Sequence, residues 1–538
     1  MQFQGFVRRE TVSAASLPCR FSGKVRIHCH PRLRWQFHAD RHSFTEGPRR
    51  PGTSAYCVSG PAATVRTGNR RLPRAGWSRR KDGKEVAWMG LRQAMERFLP
   101  WFLVVQPLLD AATTASLYTL HGPVTVGVVV RVVVLLGGMA YLLTGAGLPR
   151  RPRRLLQAYT LLVVGFIAAN LVINYLNKPV FSPRLELTYA AKAWYFPTLL
   201  LTFATFLQQS QPGFWPAVGR AVAAAAGLTG AVMLTATLTG TALPSYHYPG
   251  KAGVSGWYFS ANEVSAALAL TFPVALARAL AAPPSTRTWQ NLERWFPIWL
   301  VCFGLLALGT KTAYLAGAAA LLMVPMARFV RARQWRRRLP QAGRAWLYAA
   351  TLVFYLGATP WSPVAANTHA HIAWIHPLVH PGATGEGDIA QVADVDELVY
   401  SSRDVYLAQA LALFSRDPLV QKVFGAGFAG NYEQRPKLVE MDFHDAWFSF
   451  GGIGFVLWVL PLTVLLGIAI YRQVRVVHRL PAAAPYWLSV SLGLAVAGLA
   501  GHVLTAPAVS IYLAALLPYL IRILYGITDS SFAAKGSS

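Results

Sequence analysis

The feature that most constrains this chain is a series of apolar runs, each close to 20 residues long, that begins near residue 98. A helix needs about 20 mostly apolar residues to cross the hydrocarbon core of a bilayer. Short polar breaks separate the runs, and 54% of the chain is hydrophobic whereas only 14% is charged. The pattern predicts an all-α, polytopic membrane helix bundle of about twelve transmembrane helices.

The predicted spans divide the chain into five regions. These are a basic tail 1–97, transmembrane helices 1–9 in 98–362, a large loop 363–446, helices 10–12 in 447–526, and a short tail 527–538. The individual spans are 98–119, 123–147, 155–176, 187–208, 216–240, 258–281, 296–309, 312–329, 345–362, 447–470, 486–505 and 508–526.

The segment 1–97 holds 20 Lys and Arg against 6 Asp and Glu, which is about half of the net charge of +29. It is rich in Arg, Pro, Gly and Ser. We interpret it either as a disordered cytoplasmic tail or as an extension from a misassigned start codon, since Met89 and Met95 precede the first apolar run. Its His28–Cys29–His30 triplet lacks the spaced ligands of a metal site. We expect neither a metal nor a cofactor.

Basic loops predict the orientation. Arginines cluster after the second, eighth and tenth spans, at 150–154, 328–338 and 472–479. Loops rich in Lys and Arg remain in the cytoplasm. Both termini are therefore expected inside. Because this charge lies between apolar spans and not on a polar surface, it does not indicate a nucleic-acid partner.

The loop 363–446 is the large feature of the predicted outer side. It holds 11 Asp and Glu against 5 Lys and Arg, which is half of the 22 acidic residues of the chain. Its first part, through Gly387, is expected to be irregular. An amphipathic helix is predicted at about 395–415, lying on the outer membrane face, from Leu398, Val405, Leu407, Ala408, Leu411, Leu413 and Phe414.

The same loop contains candidate catalytic groups. Arg403 lies at the start of the predicted helix, and a Gly425-x-Gly427 segment permits a tight turn. His444 follows, with Asp442 two residues before it and Asp445 directly after it. Histidine transfers protons near neutral pH, and a neighbouring carboxylate orients it and raises its basicity. The alternative is a histidine that merely marks a membrane boundary.

Other ionisable residues lie in or beside the spans, where charge is costly. Lys311, in the turn between the seventh and eighth spans, is suited to hold a phosphate as a point charge, or else it snorkels to water. Asn262 and Glu263, near the outer end of the sixth span, either contact substrate or join helices. For three others, helix pairing or a boundary error is the favoured interpretation: Asp110, Arg131 and Lys192.

The sequence contains neither a G-x-x-x-x-G-K-[ST] phosphate loop nor an H-E-x-x-H zinc motif. This weighs against an ATP-driven transporter. It favours an enzyme whose donor is already activated.

Three stretches together resemble the O-antigen ligase and polysaccharide polymerase superfamily. They are Gly256–Glu263, the Gly309–Thr312 turn, and the region from Arg403 through His444 to Gly451–Gly454. The resemblance implies glycosyl transfer at the outer face of a bacterial cytoplasmic membrane. The donor would be a glycan on undecaprenyl pyrophosphate, and the acceptor a hydroxyl of another glycan or lipid-linked glycan.

The resemblance also implies roles. Arg403 and Lys311 supply positive charge for the pyrophosphate, which stabilises the leaving group. His444 acts as base or positioning group for the acceptor hydroxyl, and Asp442 or Asp445 orients it. His444 and Arg403 are the predicted catalytic residues, and the predicted substrate contacts are Lys311, Asn262, Glu263, Asp442 and Asp445.

This chain departs from the family pattern at three positions. Lys311 replaces an arginine, which keeps the charge but loses the bidentate fork. Glu263 stands where the family has a second asparagine, and Asp445 stands where an asparagine is more usual after the histidine.

Two other function classes remain open. A transporter or flippase of lipid-linked glycans is expected to show internal repeats and charged groups at the middle of the membrane. A non-catalytic scaffold of the envelope machinery would tolerate loss of Arg403 and His444.

Overall fold

The computed structural model describes residues 83–120, 125–145, 148–208, 210–246, 251–282, 287–334, 342–370, 403–434, 436–499 and 501–526. Most of the predicted N-terminal tail, the C-terminal tail 527–538, and the start of the predicted amphipathic helix lie outside the described residues.

The regular secondary structure of the described chain is helical apart from one hairpin of two short strands. Residues 363–370 are also helical, where the sequence predicted an irregular start of the large loop. The helices are α1 (Gly83–Leu120), α2 (Val126–Thr144), α3 (Arg150–Asn177), α4 (Pro183–Ala204), α5 (Phe214–Leu238), α6 (Ala261–Ala281), α7 (Thr288–Ala307), α8 (Lys311–Gln334), α9 (Ala342–Ala358), α10 (Arg403–Arg416), α11 (Leu419–Phe424), α12 (Asp442–Arg475), α13 (Leu480–Leu499) and α14 (Pro507–Tyr525). Strands β1 (Leu243–Pro244) and β2 (Val254–Gly256) pair antiparallel between α5 and α6.

The helices match the predicted spans in position. Within the described ranges, nine helices are long and apolar enough to cross a membrane. Helices α4, α7 and α9 coincide with the other three predicted spans, but they are not among the helices that are long and apolar enough to cross a membrane. A polytopic all-α membrane protein is confirmed, and the count of twelve spans stays a prediction.

Helix α1 begins at Gly83, well before the predicted span at residue 98. Its polar first part is supported by an ion pair one turn apart, Arg92 with Glu96 at 3.4 Å. Glu96 is buried and also accepts from the backbone N–H of Gln211 at 3.3 Å. Apolar periodicity in the sequence does not predict this early start of α1, because a contact with Gln211, far away in sequence, stabilises the polar first part of the helix.

Helix α14 lies at the centre of the bundle, since 89% of its most apolar window is buried, against 22% for α3. The Tyr512 hydroxyl of α14 donates to the carbonyl of Leu103 in α1 at 3.3 Å. Elsewhere α5 and α7 approach closely at Gly230, where any side chain would meet the backbone of Leu300. Small residues at such crossings allow helices in membranes to pack tightly.

Contacts between connecting segments define two ends of the bundle. At one end, Asp442 at the start of α12 is bound by the loop 501–506, and Lys178 after α3 is bound by Phe428. We call this the loop end. At the other end, Arg479 donates to the Leu524 carbonyl at 3.0 Å. The basic segments 150–154 and 472–479 belong to this second end, so the positive-inside rule predicts that the loop end faces outward.

Candidate functional site

A cavity of about 410 Å³ lies at the loop end. Helices α1, α2, α4, α5, α6 and α14 line it, together with Phe428 and Leu438 from the segment before α12 and His502 from the loop 501–506. Ligand pockets generally have volumes of roughly 300–1,000 Å³. The cavity is therefore large enough for a group of one or two sugars or a pyrophosphate.

Five acidic or basic side chains line this cavity: Asp110, Arg131, Lys192, Glu263 and His502. Asp110 of α1 and Arg131 of α2 form an ion pair. Arg131 also donates to Oε1 of Gln106 at 3.3 Å. For this pair the expected helix pairing is confirmed, and the pair balances its own charge at the cavity wall.

Lys192 of α4 is different, because it is exposed to the cavity and its charge is not neutralised by direct contact. It makes neither a hydrogen bond nor a close ion pair with any residue that the structure describes, although its charge acts on Glu263. Glu263 lies in the first turn of α6, where Ser260 caps the helix by accepting from the Glu263 N–H at 3.3 Å. A free ammonium and a carboxylate thus face one cavity.

His502 is the third basic group of the cavity. Its Nδ1 lies 3.2 Å from Oγ1 of Thr505 and 3.8 Å from a carboxylate oxygen of Asp442. Burial lowers the pKa of His502, but the Asp442 carboxylate at 3.8 Å and the negative charges of Asp445 and Glu263 outweigh it and raise the pKa to about 9. The imidazole is therefore charged at neutral pH.

The two predicted aspartates are buried anchors of backbone segments. Asp442 accepts from the N–H groups of Val503 and Leu504, each at 2.7 Å. Asp445 accepts from the N–H groups of Val439 and Glu440 at 2.8 and 3.0 Å. Carboxylates that accept several backbone N–H groups fix the loops that carry them.

No hydrogen bond joins either aspartate to His444 in the part of the chain that the structure describes. Their expected role as orienting partners of His444 therefore stays a prediction. The structure shows instead that Asp442 faces His502, a residue that the sequence pattern did not single out.

The Gly425-x-Gly427 segment forms the predicted tight turn, with φ of +93° and +70° at its two glycines. A buried ion pair holds it in place: Lys178 Nζ lies 2.5 Å from Glu186, and each side chain also bonds the backbone of Phe428. Burial lowers the pKa of Lys178, while the Glu186 carboxylate acts in the opposite direction. The turn places Phe428 at the cavity wall.

Arg403 and Glu440 meet where α10 packs on the start of α12, a region that we call the α10–α12 junction, and His444 lies in the first turn of α12. Arg403 forms an ion pair with Glu440 at 3.2 Å. Phe448, one turn after His444, packs on Phe414 of α10 with ring centroids 5.3 Å apart. Residues four apart share a helix face, so His444 is on the side of α12 that faces α10.

His444 has an unused nitrogen. Its Nδ1 is buried and makes no hydrogen bond to any described residue. A buried polar nitrogen without a partner costs free energy, and such groups often mark a functional position. His444 does not line the cavity, so the cavity and the junction are two separate sets of functional groups.

The amphipathic helix is present as α10, and only part of its predicted apolar pattern, Leu407 and Phe414, is on the packed face. Leu407, Ala410 and Phe414 pack against the start of α12, whereas Val405 and Leu411 are about half exposed. Leu407, Ala410 and Phe414 are at positions i, i+3 and i+7, which share one face of a helix. Val439, Met441 and Phe448 cover this face.

Lys311 and Asn262 lie at the loop end but do not line the cavity. Lys311 is the exposed first residue of α8, where the Thr310 hydroxyl accepts from the N–H of Ala313 at 3.3 Å. Asn262 lies beside Gly501. Of the predicted site residues, Glu263 alone lines the cavity.

Three basic residues line the cavity, and none of them was among the predicted site residues. Arg131 and Lys192 were visible in the sequence as charges within predicted spans. A charge in a membrane span costs free energy, and such residues are often functional. His502 was also within a predicted span, 486–505, but was not singled out. In the structure it lies in the loop 501–506, and its partner Asp442 is far away in sequence.

The family model described as "O-antigen ligase like membrane protein" matches residues 92–378 and 385–525. The chain belongs to this family. No curated protein matches the chain.

Membership confirms the resemblance that the sequence indicated. It supports a membrane protein with a glycan-transferring, ligase-like role in polysaccharide biosynthesis.

Proposed function

We propose that the chain transfers a glycan from an undecaprenyl-pyrophosphate-linked donor to a hydroxyl of a second glycan or lipid-linked glycan. The reaction takes place at the outer face of the bacterial cytoplasmic membrane. The observation that carries the proposal is the cavity at the loop end, where Arg131, Lys192 and His502 meet around a ligand-sized volume.

The chemistry requires these charges. The bond between the anomeric carbon of the donor and the pyrophosphate oxygen breaks, and its electron pair leaves with undecaprenyl pyrophosphate. The acceptor oxygen forms the new glycosidic bond and gives up its proton. Fixed cations in a site of low dielectric stabilise the negative charge that develops on the leaving group. Lys192 is the best placed, because no described carboxylate pairs with it directly.

Glu263 supplies the complementary function. Sugar hydroxyls donate hydrogen bonds, and a carboxylate accepts them more strongly than a neutral oxygen does. Glu263 faces the cavity beside Lys192 and within reach of the charge of His502. We assign it to the sugar unit next to the pyrophosphate.

The junction supplies the proton acceptor. The Nδ1 of His444 is buried and has no hydrogen-bond partner among the described residues, and Arg403 is paired with Glu440, which is four residues before His444 in the chain. In the proposal His444 takes the proton of the acceptor hydroxyl and Arg403 directs the acceptor glycan. Asp442 and Asp445 position the two loops, and Lys311 and Asn262 contact glycan outside the cavity.

The test uses the full chain reconstituted in proteoliposomes, with an undecaprenyl-pyrophosphate-linked glycan as donor and an oligosaccharide acceptor. We expect the joined glycan and free undecaprenyl pyrophosphate to appear in equal amounts. Movement of the donor across the bilayer without a new glycosidic bond would instead establish a transporter. Absence of product with intact donor, acceptor and inserted protein would refute the enzyme.

A further inference from the structure

The loop 501–506 is organised by a carboxylate from another helix. Asp442 is fully buried and accepts from the N–H groups of Val503 and Leu504 at 2.7 Å. It also accepts from the N–H of Thr505 at 3.3 Å and from the Thr505 hydroxyl at 2.5 Å. These bonds occupy the carboxylate in the absence of any ligand, so Asp442 holds the loop and is not itself a substrate contact.

His502 is the residue of this loop that reaches the cavity. Its side chain is 29% exposed, and its Nδ1 lies 3.8 Å from the fully buried carboxylate of Asp442. Asp442 and Asp445 act on it from α12 and Glu263 acts on it from α6, and all three favour the protonated ring. Thr505 is the neutral neighbour. The loop therefore presents one positive charge to the cavity.

The other cations of the cavity are not equivalent to His502. The Asp110 carboxylate neutralises Arg131 directly, whereas Lys192 projects from α4 without a close ion pair among described residues. A pyrophosphate carries at least two negative charges. Lys192 alone does not balance it, and the second cation with an exposed face is His502.

We propose that His502 is a contact for the pyrophosphate of the donor, and that Asp442 is the positioning residue that keeps His502 protonated and directed into the cavity. This inference rests on the proposed function, because it names a group that binds the same donor. It adds a dependence on pH: donor binding is lost as pH rises and His502 gives up its proton.

The sign of this dependence follows from the raised pKa of His502, about 9. The imidazole is charged below that pH and neutral above it, so binding weakens as pH passes through about 9. Without the Asp442 charge the pKa falls towards the ordinary histidine value of about 6.5. Binding to an Asp442→Asn protein then weakens between pH 6 and pH 8.

The experiment measures binding of undecaprenyl pyrophosphate to the full chain in detergent from pH 6 to pH 10, with undecaprenol as the probe without phosphate. We expect His502→Gln to bind undecaprenyl pyrophosphate roughly tenfold or more weakly at pH 7, as for loss of one charged hydrogen bond, and to lose the transition near pH 9. His502→Arg is expected to bind at pH 7 and to show no transition.

Asp442→Asn separates positioning from simple misfolding. We expect it to bind almost as wild type at pH 6, where histidine is charged in either setting, and to bind several-fold more weakly at pH 8. Equal binding by wild type and His502→Gln at all pH values would overturn the inference, and so would weak binding by Asp442→Asn that does not recover at pH 6.

These outcomes are distinct from failure of the proposed function. If the wild-type protein transfers glycan but His502→Gln binds the probe normally, the inference alone fails. If wild type binds neither the donor nor undecaprenyl pyrophosphate, the proposed function fails with it.

Discussion

The cavity and the α10–α12 junction have no lining residue in common among those named for each, and their charged groups are arranged differently. In the cavity, Lys192 and His502 present positive charge to an open volume. At the junction, the charge of Arg403 is paired with Glu440. The polar group there that has no hydrogen-bond partner among the described residues is the Nδ1 of His444. The difference suggests that the cavity binds the anionic donor and the junction handles the proton.

The strongest prediction concerns the junction. We expect His444→Ala to lower the rate of glycan transfer about 10²- to 10⁴-fold, as for loss of a general base. Binding of undecaprenyl pyrophosphate is expected to stay unchanged, because His444 does not line the cavity. The measurement is transfer rate and probe binding on the same preparation.

His478→Ala is the matched control, since His478 is an exposed histidine at the opposite end of the bundle. It should transfer at the wild-type rate. A His444→Ala protein that is correctly inserted and fully active would remove the junction from the reaction.

The second prediction concerns the cavity. Lys192→Gln removes a cation that faces the donor, and we expect transfer to fall roughly 10²- to 10³-fold, as for loss of one charge-stabilising group. In contrast to His444→Ala, the loss should be accompanied by weaker binding of undecaprenyl pyrophosphate. Isothermal titration with the probe would show it.

Lys251→Gln serves as the comparison, because Lys251 is an exposed lysine that contacts the Tyr246 ring outside the cavity. Its binding should match wild type. Equal losses in the two lysine variants would mean that general surface charge, and not the cavity, attracts the donor.

A third prediction concerns the bend of α12 at Gly451. Gly451, where α12 bends, has φ +61° and ψ −170°, a conformation that is essentially restricted to glycine. A side chain there would meet the backbone of Gly425 and Lys422. We expect Gly451→Ala to lower the free energy of unfolding by about 2 kcal/mol or more.

Gly452→Ala tests the specificity of that effect. The next glycine is helical and has open space around it, so alanine there should be neutral or stabilising by up to about 1 kcal/mol. Thermal unfolding in detergent compares the two variants. The same destabilisation at both positions would argue against a specific contact at Gly451.

The smallest expected effect concerns the two faces of α10. Phe414 packs on Phe448, whereas Leu411 is 51% exposed. We expect Phe414→Ala to lower stability by about 1–2 kcal/mol, less than for a fully buried ring, and Leu411→Ala to change it by less than about 0.5 kcal/mol. A larger effect of Leu411→Ala than of Phe414→Ala would show that the helix face that contains Leu411, and not the face that contains Phe414, is covered.

Apolar run length was enough to locate the membrane helices, because a helix in lipid must satisfy its own backbone and be apolar over a fixed length. The glycine turn at Gly425 and Gly427 was also predictable, since few other residues adopt its backbone. The start of α1 at Gly83 was not, because contacts far away in sequence hold it.

The site was only partly predictable for the same reason. The charges of Arg131 and Lys192 were visible in apolar spans, but a single sequence does not tell a charge that pairs helices from one that faces a cavity. Arg131 pairs two helices and also lines the cavity, whereas Lys192 only lines the cavity. His502 depends on Asp442, and their proximity follows from the packing of α12 beside α14 and not from local sequence.

The most direct test compares His444→Ala and Lys192→Gln in one proteoliposome assay that records both undecaprenyl pyrophosphate binding and glycan transfer. The account predicts that His444→Ala binds the probe like wild type without transferring glycan, and that Lys192→Gln loses both. If the two variants lose binding and transfer to the same degree, or if neither loses transfer, the division of labour between the cavity and the junction is contradicted.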